Sequence, residues 1–190
     1  METQRPESMN ENNIIDLLLR QHVEIRRLFT EVDSAPLDQR SEAFDRLRRF
    51  IAVHETAEEE IVHPVARRKG DARSTIVDVR LQEENEAKKV LAELERLGPD
   101  SSEFPELFSN LRRSVLAHAE HDELEEFPSL RESLDDTRSK GMAAAVKAAE
   151  AMAPTHPHAG VESAPANILV GPFASMMDRT RDVLRKAMGD

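Results

Sequence analysis

The chain has 190 residues, room for one domain and an appendage around a sizeable core. It carries 26 Lys and Arg against 37 Asp and Glu, a formal net charge of −11, which argues against nucleic acid or an anionic membrane surface as a partner. With no cysteine, disulfides, thiolate ligands and iron–sulfur clusters are excluded.

Residues 1–11 read as a flexible start, and Met1–Ser8 lacks the apolar core of a signal peptide. No apolar run reaches the roughly 20 residues a membrane helix needs, so the expected location is the cytoplasm. Tyr and Trp are absent, and long Glu/Arg/Leu/Ala stretches between short breaks predict an all-α protein. A first helix is expected over about 12–33, with Ile15, Leu18, His22, Ile25 and Phe29 on one stripe. A second, over about 41–68, turns Leu47, Phe50 or Ile51, His54, Glu58 and Ile61 inward. A third, over about 74–97, does the same with Val77, Leu81, Glu84, Ala87 and Leu91, and Gly98-Pro99 stops it. A fourth, over about 103–133, aligns Leu111, Val115, His118 and Asp122. Short connections favour antiparallel neighbours, hence an up-down-up-down four-helix bundle over 12–134. Residues 135–190 read as a helical extension: an Ala-rich helix from Gly141, a loop from Pro154 to Pro165 holding His156 and His158, and an amphipathic helix over 171–188.

The second and fourth helices repeat each other at an offset of 64 residues. Phe44, Leu47, Arg48, Arg49, His54, Glu59 and Pro64 match Phe108, Leu111, Arg112, Arg113, His118, Glu123 and Pro128. Residues four apart share a helix face, so His54 and Glu58 point one way, as do His118 and Asp122. With His22 and Glu84, every bundle helix places a metal-competent group in its apolar stripe. A carboxylate on such a stripe costs several kcal/mol unless paired or metal-bound, roughly as for any buried charge. Lys88 is the one nearby cation. Three imidazoles and three carboxylates suit a pair of first-row metals, and iron fits this mixed N/O set best. Read singly, His22 fits a hydrogen-bonded core histidine and His54–Glu58 an exposed pair; the repetition favours the metal.

Other polar groups read as peripheral. His63, beside Pro64, is expected at the surface or supporting a ligand. His121 is expected to flank the site. Glu59 and Glu123, five residues after the histidines and about 140° away on an ideal helix, are expected to face solvent, with Glu123 a reserve ligand. His156 and His158 are expected on a surface loop, with a lid as the sharper alternative.

His22 with Ile25 and Phe29, the His54…Glu58-Glu59…Pro64 segment and the His118…Asp122-Glu123…Phe127-Pro128 segment resemble the hemerythrin-like, or HHE cation-binding, family. The resemblance covers about residues 12–133 and is closest to actinobacterial hemerythrin-like proteins. It implies a di-iron centre, oxo- or hydroxo-bridged, with His22, His54, Glu58, Glu84, His118 and Asp122 as ligands. The family's third helix often reads His-Glu-Glu-Ile-Lys, whereas this chain has Glu84-Asn85-Glu86-Ala87-Lys88, with Glu84 at the histidine position. The oxygen carriers use five histidines and two carboxylates. A carboxylate-richer shell implies turnover of hydrogen peroxide, catalase-like, or of nitric oxide with peroxide, as protection against oxidative or nitrosative stress. The alternative is reversible O₂ or NO binding, iron sensing or iron storage without turnover. A zinc protease is disfavoured, because His54-Glu-Thr-Ala-Glu58 lacks the second histidine of His-Glu-x-x-His. The partners expected are H₂O₂, O₂ and NO, with no nucleic acid or membrane, on a monomer or weak homodimer.

Overall fold

Each bundle helix starts or stops where local chemistry requires it. In the computed structural model, which describes residues 10–67, 71–152 and 172–188, α1 spans Ile14–Ser34. The Asn13 side chain caps it by accepting hydrogen bonds from the Ile15 and Asp16 amides. Pro36 separates it from α2, Leu37–Ala57, which runs through a wide π-helical turn, Glu58–Val62, into α3, His63–Arg67. The next helix, α4, spans Asp71–Leu97. It ends at Gly98, whose φ of 74° suits glycine and whose amide donates to the Leu94 carbonyl at 2.9 Å. Helix α5, Phe104–His121, repeats the construction of α2 with a π-turn at Asp122–Glu126 and a continuation α6, Phe127–Arg131. Two helices follow, α7 (Asp136–Met152) and α8 (Pro172–Met188).

The fold is all-α, and no strand occurs among the described residues. The first four long helices form the four-helix bundle, while α7 and α8 pack against α1 and α2. The core is split. One apolar cluster joins Ile25, Phe29, Phe44, Leu47, Leu91, Leu94, Phe104, Phe108 and Leu111, with Met177 of α8. The other joins Ile14, Leu18, Val53, Ile61, Phe127 and Leu130 to Met142, Val146 and Ala149 of α7 and Leu184 of α8. The polar stripe positions lie between these clusters along the chain: His22 between Leu18 and Ile25, His54 between Ile51 and Ala57.

The two π-turns are the departure from the uninterrupted helices expected over 41–68 and 103–133. The His63 amide donates to the Glu58 carbonyl and the Phe127 amide to the Asp122 carbonyl, each spanning five residues. A proline within a helix clashes with the carbonyl four residues back, here Glu60 for Pro64 and Leu124 for Pro128, and a widened turn relieves that clash. The effect on side chains is large. On an α-helix a residue five positions on lies about 140° away, whereas a π-turn, with more residues per turn, brings it back toward the face of the first. His63 therefore comes onto the face of Glu58, and Phe127 onto that of Asp122.

No described helix is long and apolar enough to cross a membrane. The loop from Pro154 to Pro165, with His156 and His158, lies outside the described residues, as do residues 1–9.

Candidate metal centre

His22, His54, Glu58, Glu84, His118 and Asp122 are brought together and buried, none more than 4% exposed, so solvent-facing ion pairs do not account for them. They form two overlapping groups. In one, His22 Nε2 lies 3.1 Å from His54 Nε2, which is 3.5 Å from Glu58 Oε1. In the other, His118 Nε2 lies 3.4 Å from Glu58 Oε2, 3.2 Å from Asp122 Oδ2 and 3.9 Å from Glu84 Oε1. Glu58 belongs to both, one oxygen to each. One ligand atom per residue falls inside a 4.8 Å span in His22–His54–Glu58, in Glu58–His118–Asp122 and in Glu55–Glu84–His118.

The outer ring nitrogens fix how the imidazoles face. His22 Nδ1 donates to Glu123 Oε1 at 2.9 Å, and His118 Nδ1 to Glu83 Oε2 at 3.0 Å. His54 Nδ1 donates to Gln21 Oε1 at 2.8 Å, and the amide orientation is set because Gln21 Nε2 donates to Glu150 Oε1 of α7 at 2.6 Å. With Nδ1 donating to Gln21, neutral His54 presents a bare Nε2 lone pair to His22 Nε2, 3.1 Å away. A lone pair so placed accepts either a proton from His22 or a cation lying beside the two nitrogens. The carboxylates make the same point. Glu58 Oε1, Glu84 Oε2 and both Asp122 oxygens are buried without a hydrogen-bond partner among the described residues. Nitrogen and oxygen acceptors converging in excess of the donors that reach them fit divalent or trivalent metal.

Proton affinities follow from this burial. Burial pushes His54 down to about 3, leaving it neutral. Burial also pushes Asp122 up, assisted by the neighbouring Glu58 charge, and raises Glu84. Glu58 is the exception: burial opposes its charge, but His54 and His118 hold it below the usual carboxylate range. Burial opposes the charge on His118 too, yet hydrogen bonds to Glu58 and Glu83 carry it well above a normal histidine. Without metal the cluster keeps protons that a bound cation would displace.

Residues 13–130 match the family described as the Hemerythrin HHE cation binding domain. The chain belongs to this family. An uncharacterised hemerythrin-like protein of Schizosaccharomyces pombe is 25% identical over 138 residues, covering 72% of this chain and 68% of that protein. A protein of Nostoc sp. described as a DNA nickase is 27% identical over 142 residues, 73% of this chain; the match spans only 39% of the Nostoc protein. The crystal structure of a hemerythrin HHE cation binding domain-containing protein from Mycobacterium kansasii shares the fold, with a TM-score of 0.62 at 21% identity over 72% of this chain and 83% of that one.

Around this HHE centre lie groups the sequence reading misplaced or missed. Glu59 and Glu123 do not simply face solvent: Glu123 accepts from His22 and from Arg26, and Glu59 pairs with Lys88 and with Arg181 of α8. The hydrogen bond from His22 draws Glu123 down to about 2. Its place on the outer side of His22 makes it a partner of a ligand candidate. His63 is buried, not at the surface, donating from Nδ1 to Glu126 at 2.9 Å and from Nε2 to Glu84 at 2.6 Å. Glu55 is 1% exposed, grouped with Glu84 and His118, and burial pushes it up to about 8. Its i, i+4 spacing after Ile51 was a usable signal. Its carboxylate is enclosed between α2, α4 and α5, beside Glu84 and His118. His121 flanks the site as expected, half exposed, with Nδ1 3.0 Å from Glu83. Lys88 does reach Glu84, at 3.5 Å, while also pairing with Glu59.

Proposed function

We propose that the protein holds two iron ions with His22, His54, Glu58, Glu84, His118 and Asp122, and uses them to turn over hydrogen peroxide, alone or together with nitric oxide. The observation that carries the two-metal reading is Glu58. Its Oε1 serves the His22–His54 group and its Oε2 the His118–Asp122 group, as a carboxylate shared by two cations would. Nitrogen and oxygen donors without thiolate favour iron over softer metals, and three carboxylates favour its ferric state.

Bound iron would supply the redox couple for peroxide. The protein's own residues set the rest. His22, His54 and His118 are oriented through Gln21, Glu83 and Glu123, so that only Nε2 is offered inward. The two apolar clusters on either side limit bulk water. Glu55, with Oε2 unpartnered beside Glu84 and His118, is placed to hold or release a proton for an oxygen-containing substrate. Glu83 joins buried His118 to half-exposed His121, giving that side of the centre a polar connection to solvent.

The test is direct. Protein from iron-replete expression should contain two irons per chain, and the ferric form should evolve oxygen on adding peroxide, an activity lost in His118→Ala. One or no metal per chain would refute the two-ion reading. No oxygen from iron-loaded protein, with and without nitric oxide, together with reversible O₂ binding by the reduced form, would replace turnover by carriage.

A further inference from the structure

We infer that His63 is a fourth imidazole ligand of the centre, binding metal through Nε2 on the Glu84 side; the inference rests on the two-metal reading above. It starts from a shared geometry. In His22, His54 and His118, Nδ1 donates outward to a fixed acceptor and Nε2 faces the cluster. His63 places its nitrogens in the same way, with Nδ1 on Glu126 and Nε2 directed at Glu84 Oε1, the same oxygen that lies 3.9 Å from His118 Nε2; the proton that Nε2 donates to Glu84 is the one a bound cation would displace. Its burial, 2%, equals that of His54.

The backbone supports the same assignment. An uninterrupted helix would turn His63 about 140° from Glu58; the π-turn instead brings it round toward that face, where it meets Glu84 and Glu126, and such turns are frequent at functional positions. In the other half, the matching position is Phe127, whose ring stacks on His22 at 5.4 Å. The same backbone device thus delivers an apolar ring in one half and a ligand-competent one in the other. It also evens the donor set. His22 and His54 form one imidazole pair around Glu58 Oε1, and His118 with His63 would form a second around Glu84.

The distinguishing experiment counts ligated imidazoles in the full chain loaded with ferrous iron. Each ligand histidine keeps an Nδ1 proton, which paramagnetic iron shifts far outside the ordinary proton NMR range. Four such exchangeable resonances are expected in the wild type and three in His63→Phe. His63→Gly should bind iron on the order of 10-fold or more weakly, with exogenous imidazole restoring the fourth-ligand spectrum. Three resonances in iron-loaded wild type would overturn the inference and leave His63 a hydrogen-bond donor to Glu84, whether or not the variants fold. A wild type that binds no iron would overturn the two-metal reading and this inference together, so the two failures are separable.

Discussion

Gln21 ties the ligand candidate His54 to α7, and removing it has a calculable effect. Gln21→Leu keeps most of the buried volume but deletes the acceptor of the His54 Nδ1 proton and the donor to Glu150. Gln21 is 3% exposed and His54 2%, so water cannot readily replace the lost acceptor. An unsatisfied buried donor costs about 1–3 kcal/mol. For a chain of this size that lowers the melting temperature of the metal-free protein by roughly 2–12 °C. Loss of a group orienting a metal ligand typically weakens metal binding by about 10- to 100-fold, or roughly 1.4–2.7 kcal/mol, in the same range. Thermal unfolding of the metal-free protein and chelator competition for ferrous iron would measure the two effects. Gln21→Glu keeps an acceptor for His54 but sets a carboxylate against Glu150. It should retain most of the metal affinity while losing stability. If Gln21→Leu destabilises the fold without weakening metal binding, Gln21 only packs, and the orienting role is wrong.

Further outcomes follow from the same geometry. Glu58→Gln should reduce metal content from two ions per chain to at most one, measured by elemental analysis, because an amide cannot bridge two cations as a carboxylate does. In the metal-free protein, Glu55 has its carboxyl raised from 4.5 to about 8. Its contribution to stability is therefore complete below about 4.5 and lost as pH rises through about 8, so Glu55→Gln should flatten the decline of denaturant midpoint over that window. Phe127→Ala, which removes a ring 2% exposed and stacked on His22, should cost about 3–5 kcal/mol by chemical denaturation; a loss below ~1 kcal/mol would mean that the site collapses freely.

Much of this was legible because periodicity and burial coincide on the bundle helices. His22, Glu84, His118 and Asp122 sit at stripe positions that an ideal helix already turns inward, and the repeat of His54 in His118 marked two half-sites. The misses have two physical origins. Residues after Glu58 and Asp122 were placed by extrapolating a 3.6-residue period through turns that widen ahead of proline. The burial of His63 and Glu126 and the partnership of Glu123 with His22 could not be seen that way. Pro64 and Pro128 were visible, but the helix response to them was not. The second origin is tertiary. From Ile51 to Glu58 every residue of α2 and its π-turn is buried, because α8 covers the side that an amphipathic reading assigns to solvent. Within that stretch Glu55 turns to Glu84 and His118, a position that burial on all sides leaves unmarked by an amphipathic stripe, and the tie from Gln21 to Glu150 depends on where α7 docks.

Leu37–Arg67 and Phe104–Arg131 share one frame: a helix, a five-residue wide turn, then a proline. The frame is duplicated, but what it carries is not. Beside Asp122 it presents the phenyl ring of Phe127; beside Glu58 it presents the doubly hydrogen-bonded ring of His63. The interior thus has a built-in polarity, with an apolar wall against His22 and an ionic wall against Glu84. A small molecule lying across Glu58 would meet a different dielectric and a different hydrogen-bonding partner at each end, so its two orientations would not be equivalent.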